Sequence, residues 1–184
     1  LHNRLFVNVY DENDKLQLCE FEGDVGLDFY LYGAVTTNAV DVSALYNDGD
    51  VVDVIGLKDG KQSYLGEITV NASEEVDLSL YSESAFTHAY VGKKFTAKIV
   101  SNPIDVTSGN GPVTGDVRGI SNVILDLKDA RSFKINNRSF SPDSSFTGKK
   151  EVRVLGHSRD PQVTIEQKDP LPLQVNGLIA ELVL

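Results

Sequence analysis

Between residues 39 and 80 the chain is cut into apolar runs too short to make helices, at 39–42, 51–57, 62–70 and 76–80. Turn-forming stretches separate them: Asn47-Asp-Gly-Asp50, Lys58-Asp-Gly-Lys61 and Asn71-Ala-Ser-Glu-Glu75. An Asp-Gly pair between two apolar runs is among the strongest short hairpin signals, because both residues accept positive φ. Four or five short strands over about forty residues predict a small barrel or a tightly curled sheet. That spacing leaves no room for a helix of useful length.

The remaining segments read the same way. Residues 4–10 and 15–21 form a strand pair across Asp11-Glu-Asn-Asp14. This loop is rich in carboxylates, but it lacks the spaced ligands and distal glutamate of a calcium loop, so it reads as a turn. Strands are expected at 28–32, 95–100 and 123–127, with 130–135 continuing the last past a kink, and again within 147–156. Residues 101–119 hold four glycines and two prolines with no apolar period. They read as a long loop, and 136–145 as a second.

Near the C-terminus, extended runs at 162–167 and 173–184 flank Asp169-Pro-Leu-Pro172. Each proline fixes φ near about −65° and lacks an N–H, so neither can sit in a central ladder. The residue before each is pushed to extended backbone too. The segment should therefore act as a stiff elbow between two strands. The expected fold is all-β with about a dozen strands. A small barrel-like domain at 28–88 precedes a β-sandwich-like domain at 89–184, which carries the loops at 101–119 and 136–145. Residues 1–27 read as strands completing a neighbouring domain. The chain has no methionine and opens within a strand pattern, so a fragment of a longer protein is expected.

Composition narrows the function classes. Hydrophobic residues at 41% and charged residues at 24% are globular values. No apolar run reaches the roughly 18 residues of a membrane helix, so no membrane insertion is expected. The single cysteine, Cys19, excludes an internal disulfide framework and reads as a small buried hydrophobe within a strand. His2, His88 and His157 stand alone, without metal-ligand spacing. Ser108-Gly-Asn-Gly111 lacks the Lys-Ser/Thr of a phosphate loop, and no nucleophile elbow is present. No catalytic residue, cofactor or metal is expected, and the chain reads as a non-enzyme. Residues 1–92 carry 4 basic and 17 acidic side chains, whereas residues 93–184 carry 13 and 10. The acidic half reads either as an ordinary solubilising surface or as a wall that repels nucleic acid. The doublets Lys93-Lys94 and Lys149-Lys150 do not make a binding track.

One stretch carries a resemblance. Arg159-Asp160-Pro161, Val163-Thr-Ile-Glu-Gln167, Asp169-Pro-Leu-Pro172 and a terminal apolar strand look like the C-terminus of tail tubular, or nozzle, proteins of short-tailed bacteriophages. The order continues upstream. It includes the two N-terminal strands with Leu27-Asp28, then Leu45-Tyr-Asn-Asp-Gly-Asp50 with Val51-Val-Asp-Val54. Asp59-Gly60, Gly66-Glu-Ile-Thr-Val70, Tyr90-Val-Gly92 and Thr147-Gly148 follow. The family-like C-terminal motif is Arg159, Asp160, Gln167, Asp169, Pro170, Leu171 and Pro172, and its Pro-Leu-Pro ending is the most specific element. The propeller-like body of that family is absent, apart from what residues 1–27 represent.

The resemblance implies a structural virion protein, made in the host cytoplasm and built into the phage tail. Copies of it would form a hexameric ring continuing the DNA ejection channel. The ring would contact the tail adaptor and dock fibre or spike proteins. Double-stranded DNA would pass without specific binding, and Asp48, Asp50 and Asp53 are the candidate acidic surface facing it. The rival reading is a β-sandwich adhesin or carbohydrate-binding module, with Tyr30, Tyr32 and Tyr64 as stacking platforms. Period-two placement gives these tyrosines a second role as cross-strand partners, and the chain has no Trp.

Overall fold

The computed structural model describes residues 5–10, 16–21, 26–104, 107–108, 111–112, 117–142, 144–154 and 157–183. The loop at 11–14, His2 and the burial of Cys19 lie outside what is described. So does much of the expected loop at 101–119. The fold is all-β, with antiparallel pairing throughout. The chain divides into two compact units, Leu1–Phe95 and Thr96–Leu184.

In the first unit, β1 (Leu5–Tyr10) and β2 (Leu16–Phe21) pair with Leu5 opposite Phe21. β3 (Leu27–Ala34), β4 (Ala39–Asp41), β5 (Val51–Lys58), β6 (Lys61–Thr69), β7 (Glu75–Asp77) and β8 (His88–Lys94) follow. β3, β8, β5 and β6 form one sheet in that order, and β4 pairs with β7. The turn between β5 and β6 has Asp59 at φ 51° and Gly60 at φ 73°. Lys58 lies opposite Lys61, so this is the two-residue turn whose twist matches the strands. Alternation along β5 turns Val52 and Val54 into a core with Val40, Val42, Val70, Val76, Leu78, Ala89 and Val91.

Two expectations are corrected here. The strand expected at 76–80 ends at Asp77, and a 3-10 helix occupies Ser79–Ser84. The Asp77 carboxylate accepts the Ser79 N–H at 2.8 Å, a local bond that turns the chain out of the ladder. Leu80, 92% exposed, has no core to face. The strand expected at 95–100 is displaced as well. β8 takes His88–Lys94, and only Lys98–Val100 is extended afterwards.

The second unit contains β9 (Lys98–Val100), β10 (Thr107–Ser108), β11 (Gly111–Pro112), β12 (Arg118–Ala130) and β13 (Phe133–Ile135). They are followed by β14 (Arg138–Phe140), β15 (Phe146–Arg153), β16 (His157–Ser158), β17 (Thr164–Gln167) and β18 (Gln174–Val183). β12 is central to one sheet, with β15 and β16 along one edge and β18 along the other. A second sheet runs β14, β13, β17, β9. One buried cluster draws on both, with Val123, Leu125 and Leu127 from the first and Phe133, Ile135 and Ile165 from the second.

Residues 130–135 therefore do not continue the preceding strand. Asp129 has φ 53°, and the chain changes sheets between Ala130 and Phe133. The polar loop expected at 136–145 contains a short strand, Arg138–Phe140. Asn136 at φ 47° tightens the turn, and β14 returns along β13.

Candidate functional site

Asp53 stands between Val52 and Val54, yet it is only 7% exposed. A lone buried carboxylate is costly unless charge and hydrogen bonds compensate it. Both arrive from other strands. The Tyr64 hydroxyl of β6 donates to Asp53 Oδ1. The Lys94 backbone N–H of β8 donates to Oδ2 at 2.9 Å, and Lys94 Nζ lies 3.7 Å from Oδ1. The same ammonium donates to the Tyr64 oxygen at 3.1 Å. Each member of the triangle thus touches the other two.

Burial, then the bond to Asp53, raises the Tyr64 phenol above its ordinary pKa. The hydrogen bond to Tyr64 raises the Lys94 ammonium, with smaller contributions from nearby negative charge. The triangle fastens β5, β6 and β8 at one end of their sheet. Beside it, Lys93 Nζ donates to the Val51 carbonyl at 2.5 Å. The Tyr46 hydroxyl donates to the Phe29 carbonyl at 2.5 Å, and burial pushes that phenol strongly up.

A row of side chains crosses the same sheet next to the triangle. Register places Tyr32 opposite Tyr90, Tyr90 opposite Ile55, and Ile55 opposite Tyr64. Directly opposed residues share one face of a sheet. Tyr32 and Tyr90 have ring centroids 4.8 Å apart, and Tyr30 meets Tyr90 edge-on at 5.5 Å. His88 stacks on Tyr32 at 5.0 Å with rings 4° from parallel. Ile55 is buried beneath the row, whereas Tyr32 is 51% exposed. The result is a half-exposed aromatic ribbon with a polar end. The tyrosines noted in the sequence gather here, joined by Tyr90 and His88, which sequence reasoning missed. The alternation of His88-Ala-Tyr-Val91, with Ala89 and Val91 buried, was the signal that could have found them.

The three candidate acids do not form one surface. Asp48 is exposed. Asp50 Oδ2 accepts the Asn47 N–H at 2.8 Å and closes the turn before β5. Asp53 is committed to Tyr64 and Lys94, which removes it from an open acidic face.

The C-terminal motif is brought together only in part. The Gln167 side-chain amide donates to the Leu171 carbonyl at 2.7 Å, and the Leu171 N–H donates to the Asp169 carbonyl at 2.8 Å. Pro170 and Leu171 are buried, and the Pro172 carbonyl accepts the Arg131 N–H at 3.2 Å. Arg159 and Asp160 are exposed, with the Asp160 N–H on Ser158 Oγ at 3.2 Å.

A recess of about 180 Å³ next to His157 is lined by Ile120, Val154, Pro161 and Gln162. This falls below the roughly 300 Å³ at which small-molecule sites begin. Among the described residues, no group of three or more His, Cys, Asp or Glu could hold a metal ion. No helix among them is long and apolar enough to cross a membrane. No known family model matches this chain, and no curated protein matches it.

Proposed function

We propose that the chain is a structural virion component, part of the tail nozzle of a short-tailed bacteriophage, and that it works by assembly. The observation that carries this reading is the Gln167–Leu171 clamp. The stretch Gln167 to Pro172, which holds the Pro-Leu-Pro ending of the resemblance, forms a bonded elbow that delivers the chain into β18. In this reading β3 to β8 of the first unit form the barrel-like insert and the second unit is the sandwich-like end domain. The β1–β2 pair completes the propeller-like body of a longer chain. Copies form a hexameric ring around passing double-stranded DNA, beneath the adaptor, and offer docking surface to fibres or spikes. Asp48 is the acidic residue left to face the channel.

An antibody against this chain tests the assignment on phage particles from the same source. Labelling of the tail tip supports it, and particles that bear no label contradict it.

A second reading draws on the aromatic ribbon. Tyr32, half exposed beside Tyr90 and His88, offers ring surface of the kind that stacks on pyranose sugars. A glycan screen decides this. Binding abolished by Tyr32→Ala would favour a receptor-recognition module, and no binding at millimolar sugar would remove it.

A further inference from the structure

Among the open strand edges described in the second unit, those of β18 and β9 are the two that carry exposed large apolar side chains. Among the described residues β18 pairs only with β12, and β9 pairs only with β17. β18 is ten residues long, without proline or lysine, and its bulge at Asn176 and its charge at Glu181 leave 178–180 as the open apolar stretch. Leu178 and Ile179 on it are 37% and 57% exposed, and Ile99 and Val100 on β9 are 58% and 49% exposed. Each edge carries one charge, Glu181 on β18 and Lys98 on β9, and the signs are opposite.

Backbone direction decides how such edges can meet. The Ala97 carbonyl accepts the Gln167 N–H, and the Ser101 N–H donates to the Val163 carbonyl. Residues 97, 99 and 101 therefore turn their peptide groups towards β17, and Lys98 and Val100 turn theirs outward. On β12, the Ser121 carbonyl accepts the Val154 N–H, so alternate residues 121, 123, 125 and 127 face β15. Asn122, Ile124 and Asp126 then face Glu181, Ile179 and Gly177. Leu178 and Ala180 are left with outward peptide groups.

We propose that the open edge of β18 takes up β9 of a second copy of this chain, antiparallel, in a head-to-tail contact. The outward groups meet when Lys98 lies opposite Ala180 and Val100 opposite Leu178. Ile99 then faces Ile179 in the closer, non-hydrogen-bonded pair. Ile99 shares its face with buried Ile165, while Ile179 lies on the face away from Val123 and Leu125. The core layers of the two copies thus fall on opposite sides of the joined sheet and do not collide. A contact of β18 with β18 would bring two Glu181 edges together and leave Ile99 and Val100 uncovered. One head-to-tail contact covers both apolar sets, with Lys98 beside Ala180 and Glu181 beside Ala97 on opposite faces of the joined sheet. Repeated, it makes a ring if the rotation closes and a filament if it does not. The contact deepens the assembly reading and rests on it only for its biological setting.

Proline at an outward position removes an edge N–H without touching the internal ladder. Ala180→Pro blocks β18 and Val100→Pro blocks β9. Native mass, with circular dichroism as the folding check, is expected to show assembled wild type and monomeric single variants. An equimolar mixture of the variants is expected to give a dimer, because one intact edge of each remains. Ile179→Glu and Ile99→Glu repeat the experiment at exposed side chains should a proline variant fail to fold. A Val100→Pro protein that still dimerises would overturn the proposal in favour of β18 pairing with itself. A monomeric wild type would overturn it too. Variants with wild-type mass would overturn it while leaving self-assembly through another surface standing.

Discussion

Lys94 grips Asp53 twice, through its backbone N–H at 2.9 Å and its ammonium at 3.7 Å. The two residues lie on adjacent strands, so the buried carboxylate ties the end of β8 to β5. Replacing Asp53 with alanine strands the Tyr64 hydroxyl and the Lys94 N–H, and opens an uncompensated site. We expect a loss of about 2–4 kcal/mol for Asp53→Ala, against about 1 kcal/mol for Tyr64→Phe. Urea unfolding of both variants and of the double mutant checks this. A double-mutant loss equal to the sum of the two would contradict the triangle.

The same contacts fix an alkaline dependence. Tyr64 and Tyr46 are raised above the ordinary 10.0 mainly by burial, and Lys94 is raised above 10.5 by its bond to Tyr64. A group whose folded pKa is raised stabilises fully below its unfolded pKa. That contribution fades as pH climbs from the unfolded towards the folded value. Stability should therefore hold to about pH 9.5 and fall above pH 10. Urea midpoints at pH 9, 10 and 11 measure it. Tyr46→Phe should flatten the decline more than Tyr64→Phe, because the deeper phenol is shifted further.

Gly92 lies under Tyr30. A Cβ there would sit 2.8 Å from Tyr30 Cβ and 3.0 Å from the Asp28 carbonyl oxygen. Since backbone cannot yield as a flexible side chain does, Gly92→Ala should cost about 1–3 kcal/mol. It should also disturb the Tyr30–Tyr90 contact, read as a change in near-ultraviolet dichroism. An unchanged spectrum and midpoint would show that β3 shifts freely.

At the elbow, Gln167→Ala removes one buried-end hydrogen bond and should cost about 1 kcal/mol. Gln167→Glu sets a carboxylate against the Leu171 carbonyl and should cost more. Thermal midpoints rank the two, and equal losses would mean that the clamp contributes little.

Asp48→Lys reverses an exposed charge and should leave stability within about 0.5 kcal/mol. If Asp48 lines a DNA channel, the variant slows genome ejection through added phosphate attraction. Unchanged ejection removes Asp48 from the channel. Asp53→Lys is no test of that idea, because it breaks the triangle first.

The Asp59-Gly60 hairpin was legible because the tolerance of Asp and Gly for positive φ is local to the two residues. The elbow was legible because proline chemistry is local too. β8 was legible only in part, because Tyr90-Val-Gly92 does not show that the strand runs from His88 to Lys94 between β3 and β5. Asp53 was read with Asp48 and Asp50 as one acidic surface, since a charge count carries no direction. Its partners lie on two other strands, 11 and 41 residues away, and no local pattern announces them. The 3-10 turn after Asp77 depended on one side-chain bond that competes with the ladder.

The native mass of the chain, measured by sedimentation across a concentration series and imaged in negative stain, tests the central claim most directly. The account predicts a closed ring of about six copies. A monomer that persists at the highest concentration would contradict it.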